Sequence, residues 1–243
     1  MYIYIYINKY IYIYAQVFAG DHEVTQAQWR RGITAVPLDL RFDDVLHNIL
    51  TPQGFIHICH MTLCTIDGGS HNEAPVCSSW TFMNRGTSGR SASKPLGDTS
   101  RQYVREANCM VSRATLIAYL CAAMGLWILH EQPRGSLYEF HPRWQQFVGI
   151  VKVWRHAIAM RDFGAHSDKP TWLYSNKAFL LELGRHALPE WKRYQGPKVD
   201  LATTYIDANG KKKCFGNANL KASQSYPRGF GNAIARKTRT PCR

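Results

Sequence analysis

Residues 103–131 read YVREANCMVSRATLIAYLCAAMGLWILHE, and this stretch decides the fold class. Apolar residues recur at helical spacing from residue 103 to residue 124, which predicts a long, largely buried helix. Gly125 is expected to end it, because glycine readily adopts the left-handed conformation that follows a helix. Residues 126–131 (LWILHE) form a short apolar run, typical of a parallel strand that is covered on both faces. A buried helix followed directly by a buried strand indicates an α/β fold.

The rest of the chain continues this alternation of short apolar runs with helical stretches, which predicts an α/β sheet with helices on both faces. Gly68-Gly69 is expected to end one of the helices, and residues 84–101, rich in Gly, Ser and Arg, are expected to form a flexible loop outside the core. Strands are predicted at 15–18, 35–40, 74–80 and 172–174, helices at 24–31, 43–50, 51–66 and 176–186, and a helix with a strand within 144–160.

The charge of the chain points to a polyanionic partner. The 243 residues include 30 Lys and Arg against 17 Asp and Glu, which gives a net charge of +13. Length and composition exclude a disulfide-stapled miniprotein, a collagen-like chain and a wholly disordered chain. Most of the excess charge lies in residues 187–243, predicted as a small basic extension with a hairpin that turns at Asn209-Gly210. Residues 15–186 are predicted to form the α/β domain.

Residues 2–14 read YIYIYINKYIYIY, an alternation that resembles a translated dinucleotide repeat. Residues 1–14 are therefore predicted to be a low-complexity segment that arises from an incorrect gene start. A real edge strand is the alternative, because strict alternation over this length is also typical of a β-strand. The repeat also leaves open an incorrectly assembled gene for the whole chain.

Cysteine usage and hydropathy indicate a compartment. Seven cysteines at irregular spacing, with no signal peptide before them, predict a reducing, intracellular location, with the nucleus favoured. The longest apolar run, at 114–129, is shorter than the roughly 20 residues of a membrane span, so no membrane partner is expected. No metal site is predicted either, because the densest group of potential ligands lacks a second pair at zinc-finger spacing: His57, Cys59, His60 and Cys64.

Candidate site residues follow from the rule that open α/β sheets bind ligands at the carboxyl ends of their strands. That rule selects Gly20, Asp39, Cys77 and Glu131. A glycine after the first strand lets the backbone approach a nucleotide-like cofactor. A carboxylate about 20 residues further on accepts ribose hydroxyls in nucleotide-binding folds, although Asp39 as a capping residue is the alternative.

Cys77 and Glu131 are the candidates for chemistry. Cations stabilise a thiolate, so a cysteine beside a loop with Arg85, Arg90 and Lys94 is a candidate nucleophile, and a small buried core residue is the alternative. Glu131 follows a strongly apolar strand. A carboxylate is costly to bury there unless it binds a ligand or is protonated.

These residues, in this order, carry a resemblance to the DNA (cytosine-5) methyltransferase family over residues 16–176. That family has an Asp-Leu-Phe-x-Gly cofactor motif, a Pro-Cys nucleophile with a mobile loop, a Glu-Asn-Val or Glu-Asn-Pro motif, a Gln-x-Arg-x-Arg motif and a closing Gly-Asn-x-Val element. The matching stretches are Val17-Phe18-Ala19-Gly20, Asp39, Pro75-Val76-Cys77-Ser78-Ser79-Trp80, a Gly-rich loop that closes at Asp98 and Arg101, Glu131-Gln132-Pro133, Asp162-Phe163-Gly164-Ala165 and Phe230-Gly231-Asn232-Ala233-Ile234.

The resemblance implies a Rossmann-like methyltransferase sheet that binds S-adenosylmethionine through Phe18, Gly20 and Asp39. It implies that Cys77 adds to C6 of a flipped-out cytosine while Glu131 bonds its N3 edge and amino group. Nucleic acid, DNA rather than RNA, is the implied partner, with phosphates held by Arg85, Arg90, Lys94, Lys169, Lys211, Lys212 and Lys213. A solvated face is the alternative for the last three, and core packing is the alternative to base stacking for Trp80 and Tyr103.

The chain also departs from the family pattern. Asp21 and Glu23 lie close after Gly20, Gln132 stands in place of the usual Asn, and residues 166–171 (HSDKPT) keep one cation in place of two arginines. A catalytically inactive, methyltransferase-like protein that binds nucleic acid is therefore the alternative to the enzyme.

Overall fold

The computed structural model describes residues 12–238, which contain a six-stranded sheet, a two-stranded hairpin and helices. The strands are β1 (Tyr12–Val17), β2 (Ala35–Leu38), β3 (Thr65–Glu73), β4 (Trp127–Pro133), β5 (Trp154–Ala159), β6 (Pro170–Ser175), β7 (Ala202–Ile206) and β8 (Lys212–Gly216). The α-helices are α1 (Glu23–Trp29), α2 (Pro52–Leu63), α3 (Arg85–Ser88), α4 (Gln102–Ala123), α5 (Pro142–Ile150), α6 (Ala218–Ala222) and α7 (Arg228–Ala235). Short 3₁₀ helices include Leu137–Phe140, Met160–Phe163 and Ala178–His186.

The large sheet is mixed and has the strand order β2-β1-β3-β4-β6-β5. The first four strands in that order run parallel, whereas β6 is antiparallel to both of its neighbours. The predicted α/β class is confirmed at this level. Helices cover both faces, since α2, α4 and α5 contribute to one apolar core, and α1 and α7 contribute to the other.

The stretch that decides the fold forms the elements expected from it. The predicted helix at 103–124 is confirmed as α4, and Gly125 follows it with a φ of 72°. The amide of Gly125 donates to the carbonyl of Ala122, and the amide of Leu126 donates to the carbonyl of Cys121, which satisfies two carbonyls at the helix end. The buried strand β4 then starts at Trp127.

β1 begins inside the Tyr-Ile alternation. Residues 1–11, most of the predicted low-complexity segment, lie outside the described residues. Tyr12 to Tyr14, however, form the first half of β1, and Tyr14 is buried. Tyr14 packs in the same core as Val24 of α1 and Phe230 of α7, so the α/β core begins before residue 15.

The prediction of a strand at 74–80 is wrong, because the structure has β3 at Thr65–Glu73 instead. Gly68-Gly69, expected as a break, lies inside this strand at a shift in its register with β1. A Cβ atom on Gly69 would lie 2.8 Å from the carbonyl oxygen of Ile13, so only glycine fits this close approach of the two backbones.

Two predicted helices are also corrected. Residues 43–50 form turns, in which the carboxylate of Asp43 accepts hydrogen bonds from the amides of Val45 and Leu46. Residues 178–186 form a 3₁₀ helix rather than an α-helix. The predicted hairpin is confirmed as β7–β8, with Gly210 at its turn.

The C-terminal segment returns to the start of the domain. α7, within the predicted basic extension, packs directly against α1. A Cβ atom on Gly231 would lie 2.6 Å from the carbonyl oxygen of Glu23, so a glycine allows the two helices to approach this closely. Phe230 and Ile234 are fully buried at this contact. The end of the described chain is therefore part of the α/β core.

Candidate functional site

The carboxyl ends of β1, β2, β3 and β4 lie along one edge of the sheet, because these strands run parallel. Gly20 follows β1, Asp39 directly follows β2, Cys77 follows β3 and Glu131 lies near the end of β4. The chain passes from β1 outward to β2 and then to the other side of β1 at β3. Such a reversal leaves a crevice between the loops that follow β1 and β3, which is where α/β sheets bind ligands.

Glu131 is buried at this edge, with 6% of its surface exposed. Its Oε1 atom lies 3.7 Å from Nζ of Lys169, and its Oε2 atom accepts a hydrogen bond of 3.4 Å from the hydroxyl of Tyr226. Within the described part of the chain, Oε1 has no hydrogen-bond donor. A buried carboxylate oxygen without a donor is costly, so an N–H group of a ligand at this atom would stabilise it.

Lys169 reaches Glu131 because β6 pairs with β4, which places Leu173 opposite Glu131. Lys169 directly precedes β6 and has a φ of 29°, a left-handed conformation that is uncommon for lysine. Its side chain is only 16% exposed. Backbone strain of this kind is often kept at functional sites, and here it accompanies a lysine held against a buried carboxylate.

Tyr226 is a site residue that the sequence did not reveal. It comes from the segment before α7, 95 residues after Glu131, and is buried. Burial raises the pKa of Tyr226 well above its usual value, and the negative charge of Glu131 acts in the same direction. The hydroxyl therefore stays protonated and donates to Glu131. No local signal marks this tyrosine, because only the packing of α7 on α1 brings it to the sheet edge.

Cys77 lies in a turn after β3, where the amides of Trp80 and Thr81 donate to its carbonyl oxygen. Burial, together with the charge of Glu131, raises the pKa of the Cys77 thiol to about 11, while Lys169 acts in the opposite direction. The thiol is therefore protonated near neutral pH. The sequence predicts a thiolate stabilised by the cations of the following loop. In the structure, the charges that act on the thiol belong to Glu131 and Lys169 instead.

Gln132 links the two segments that carry Cys77 and Glu131. Its side chain is fully buried, and its Nε2 donates to the carbonyl of Pro75 at 2.9 Å. Its Oε1 accepts a hydrogen bond from the hydroxyl of Ser136 at 3.1 Å. Gln132, which stands where the resemblance implies an asparagine, thus ties the end of β4 to the loop that holds Cys77.

The loop after Cys77 is more ordered than its composition indicates. Arg90, expected at the phosphates, is 2% exposed and lies 3.5 Å above the ring of Trp80. Trp80 itself is a core residue, whereas Tyr103 is exposed. The Arg90 guanidinium donates to five acceptors within the chain, namely the carbonyl oxygens of Ser79, Pro95 and Val104, Ser79 Oγ and Asn108 Oδ1. Nε, Nη1 and Nη2 of Arg90 therefore all donate within the chain already. This differs from the predicted contact of Arg90 with a phosphate.

The predicted phosphate contacts other than Arg90 and the partly buried Lys169 are at the surface. Arg85 and Lys94 are exposed on the loop after Cys77. Lys211, Lys212 and Lys213 are exposed on the hairpin, where Nζ of Lys213 lies 3.6 Å from the carboxylate of Asp207.

The loops after β1 and β2 are joined through Asp39 and Arg41. Oδ2 of Asp39 accepts a hydrogen bond of 2.8 Å from the amide of Gly20, and Oδ1 accepts from the amide of Arg41 at 3.0 Å. The Arg41 side chain also pairs with Asp21 at 2.7 Å. Ser225, from the C-terminal segment, donates to the other oxygen of Asp21. These contacts fix the loops at the edge where a cofactor was expected.

This arrangement does not fit S-adenosylmethionine as the resemblance implies. Two ribose hydroxyls need two free acceptor positions on the carboxylate. Oδ1 of Asp39 already accepts from the amide and Nε of Arg41, and Oδ2 accepts from the amide of Gly20, so one position remains. Nη2 of Arg41 also lies 2.9 Å from the position of a Cβ atom on Gly20, so this exposed side chain would have to move for a cofactor to approach there. Phe18 adopts a strained φ of 59° in the same loop.

A buried ionic cluster lies next to this site, on the face of the sheet that carries α4. Oε1 of Glu73 is 3.0 Å from Nε2 of His71, and Oε2 is 3.3 Å from Nδ1 of His130. All three side chains are fully buried. The two-residue spacing of His71 and Glu73 in the sequence is typical of one face of a strand. The predicted break at Gly68-Gly69 obscured this signal.

Residues 12–238 contain no group of three or more His, Cys, Asp or Glu side chains arranged to hold a metal ion. Over the same residues, no helix has both the length and the apolar character needed to cross a membrane.

Comparison of the chain with models of known protein families and with curated proteins finds no match in either set.

Proposed function

We propose that the chain is a nucleic-acid-binding protein with a methyltransferase-like fold, which holds a cytosine-type base at Glu131. The observation that carries this proposal is the carboxylate of Glu131, which is buried, is held by Lys169 and Tyr226, and keeps one oxygen without a hydrogen-bond donor in the described chain. Carboxylates read cytosine by accepting from its exocyclic amino group. Thymine presents a carbonyl at that position, which would face the carboxylate as a second acceptor.

The sheet supports this location for a base. Cys77, Glu131 and the predicted contact Lys169 come from three separate segments that meet at the carboxyl ends of the central strands. A doubly wound sheet of the Rossmann-like type binds nucleotides at the point where its strand order reverses. We also propose that the sheet is of the Rossmann-like methyltransferase type. The strand order of the mixed six-stranded sheet supports this proposal.

Methylation of cytosine C5 in DNA is the second candidate function. The observation that favours it is the proximity of Cys77 to Glu131, close enough for the charge of Glu131 to raise the pKa of the Cys77 thiol. It requires Arg41 to release Asp39, because S-adenosylmethionine does not fit the loops as they stand. The contacts of Asp39 therefore favour binding over methyl transfer.

The proposal predicts that single-stranded DNA with one central cytosine binds about tenfold more tightly than the same DNA with thymine, since one good base contact contributes about 1–3 kcal/mol. Glu131→Gln is expected to abolish this preference, because the amide can present its own N–H groups to the base. Fluorescence anisotropy on the full chain measures both affinities.

Glu106→Gln is the matched control, since Glu106 is an exposed glutamate on α4, outside the site. It should retain the preference for cytosine. Equal affinities of the wild-type chain for both DNAs, or a preference that survives in Glu131→Gln, would rule out the base contact.

A further inference from the structure

A cavity of about 600 Å³ lies between the loop at 160–169 and the C-terminal segment at 219–229. Phe163 and Lys169 line it from the loop, and Tyr226 and Gly229 line it from the C-terminal segment. Its volume is within the range of cavities that hold small ligands. The sequence did not indicate this cavity, since its two walls are distant in the chain.

The walls of the cavity are positively charged. Lys169, Lys192 and Arg228 line it, and no Asp or Glu is among its lining residues in the described chain. The carboxylates of the neighbouring loop pair with other cations: Asp162 with Arg193 at 2.8 Å, and Asp168 with Lys198 at 2.8 Å. Lys169 pairs with Glu131, whereas Lys192 and Arg228 pair with no carboxylate among the described residues, so these two cations favour an anionic ligand.

The start of α7 adds to this charge. Pro227, Arg228 and Gly229 line the cavity, and no side chain caps the helix at Pro227. The first amide groups of a helix have no acceptor within it and lie at the positive end of the helix dipole. Phosphate groups bind at such helix starts, and here the helix start lies beside a cavity that cations line.

The cavity shares two side chains with the proposed base site. Lys169 and Tyr226 line it, and both contact the carboxylate of Glu131. A ligand with a base at Glu131 would therefore extend past these two side chains into the cavity. Lys192 and Arg228 would lie near the charged part of that ligand.

We propose that this cavity binds the phosphate of a nucleoside phosphate whose base lies at Glu131. The position of the base rests on the proposed function, whereas the phosphate contact rests on the charge and position of the cavity. The phosphate belongs either to a free nucleotide or to a nucleic-acid strand. Lys192 and Arg228 are thus ligand contacts that complement the predicted contact at Lys169.

Calorimetry with cytidine 5′-monophosphate and with cytidine, on the full chain, tests the phosphate contact. The nucleotide is expected to bind about tenfold or more tightly than the nucleoside, since charge-assisted hydrogen bonds to phosphate are strong. The double variant Lys192→Gln/Arg228→Gln should lose most of this difference. Arg31→Gln/Lys177→Gln removes the same charge from exposed positions that do not line the cavity, and should keep the difference.

A second arm uses short single-stranded DNA. Weaker binding of both ligands by the cavity variant supports a site for a free nucleotide, and weaker binding of DNA alone supports the phosphate of a strand. The proposal is overturned if the cavity variant matches its control with both ligands, or if the wild-type chain binds neither. Thymidine 5′-monophosphate separates the two proposals. If it binds as tightly as the cytidine nucleotide, the base contact at Glu131 is contradicted. If that binding still depends on Lys192 and Arg228, the phosphate contact in the cavity is supported.

Discussion

Replacement of Glu73 by alanine is expected to lower the free energy of unfolding by about 3–5 kcal/mol, the usual cost of removing one partner of a buried ion pair. Glu73 contacts His71 and His130 at 3.0 and 3.3 Å, and all three side chains are fully buried. The variant leaves two buried imidazoles without their shared carboxylate. Urea unfolding of the full chain measures the change.

The same cluster makes the stability depend on pH. Burial opposes a charged His71, but Cys121 and Glu73 beside it raise its pKa to about 10 from the usual 6.5. The stabilisation from charged His71 is therefore complete below pH 6.5 and is lost as the pH rises towards 10. Burial likewise opposes a charged Glu73, yet His130 and His71 lower its pKa below the usual 4.5. The stabilisation from Glu73 is present above pH 4.5 and is lost as the pH falls through its lowered pKa.

Glu182→Ala provides the control, since Glu182 forms an exposed pair with Lys237 and exposed pairs contribute little to stability. Unfolding of Glu73→Ala should also lose part of the alkaline decline between pH 6.5 and 10, because Glu73 is one of the two groups that raise the pKa of His71. A Glu73→Ala variant as stable as the control, with an unchanged pH profile, would contradict the ionic cluster.

Replacement of Arg90 by alanine is the second large effect, with an expected loss of about 3–5 kcal/mol. The variant removes a guanidinium that stacks on Trp80 and leaves buried carbonyl oxygens without a donor. Lysine should not restore the stability, because a single ammonium cannot reproduce a planar group that donates in several directions.

Arg85→Ala tests the same loop at an exposed position and should leave stability almost unchanged. The comparison also separates the two roles considered for Arg90. A phosphate contact predicts a stable Arg90→Ala protein with weak DNA binding, whereas a structural role predicts a destabilised protein. Equal urea midpoints for Arg85→Ala and Arg90→Ala would contradict the structural role.

Much of the fold was predictable because its strands are mostly short apolar runs and its longest helix ends at a glycine. The helix α4, Gly125 and β4 follow directly from that pattern. β3 was missed because it ends in polar residues such as Asn72 and Glu73, which are buried only through pairing with β1 and β4. Tertiary contacts there override the local pattern.

The site was predictable only in part. The position of Cys77 and Glu131 at one edge of the sheet is predictable from strand positions alone, because the carboxyl ends of parallel strands meet there. Tyr226, Lys192 and Arg228 were missed, since the contacts of the C-terminal segment bring them to the cavity. The burial of Arg90 was also hidden, because a Gly- and Ser-rich stretch is typical of an exposed loop.

The most direct test of a base at Glu131 is the rate at which iodoacetamide alkylates Cys77, followed by mass spectrometry of its peptide. At a pH of about 9, thiols react through their thiolate fraction, and Cys109 on α4 provides an internal control in the same chain. With cytosine-containing single-stranded DNA at about ten times its Kd, the rate at Cys77 should fall about tenfold, because the bound fraction is protected. Thymine-containing DNA at the same concentration should protect far less. An unchanged rate at Cys77 with saturating cytosine-containing DNA would contradict a base bound at this site.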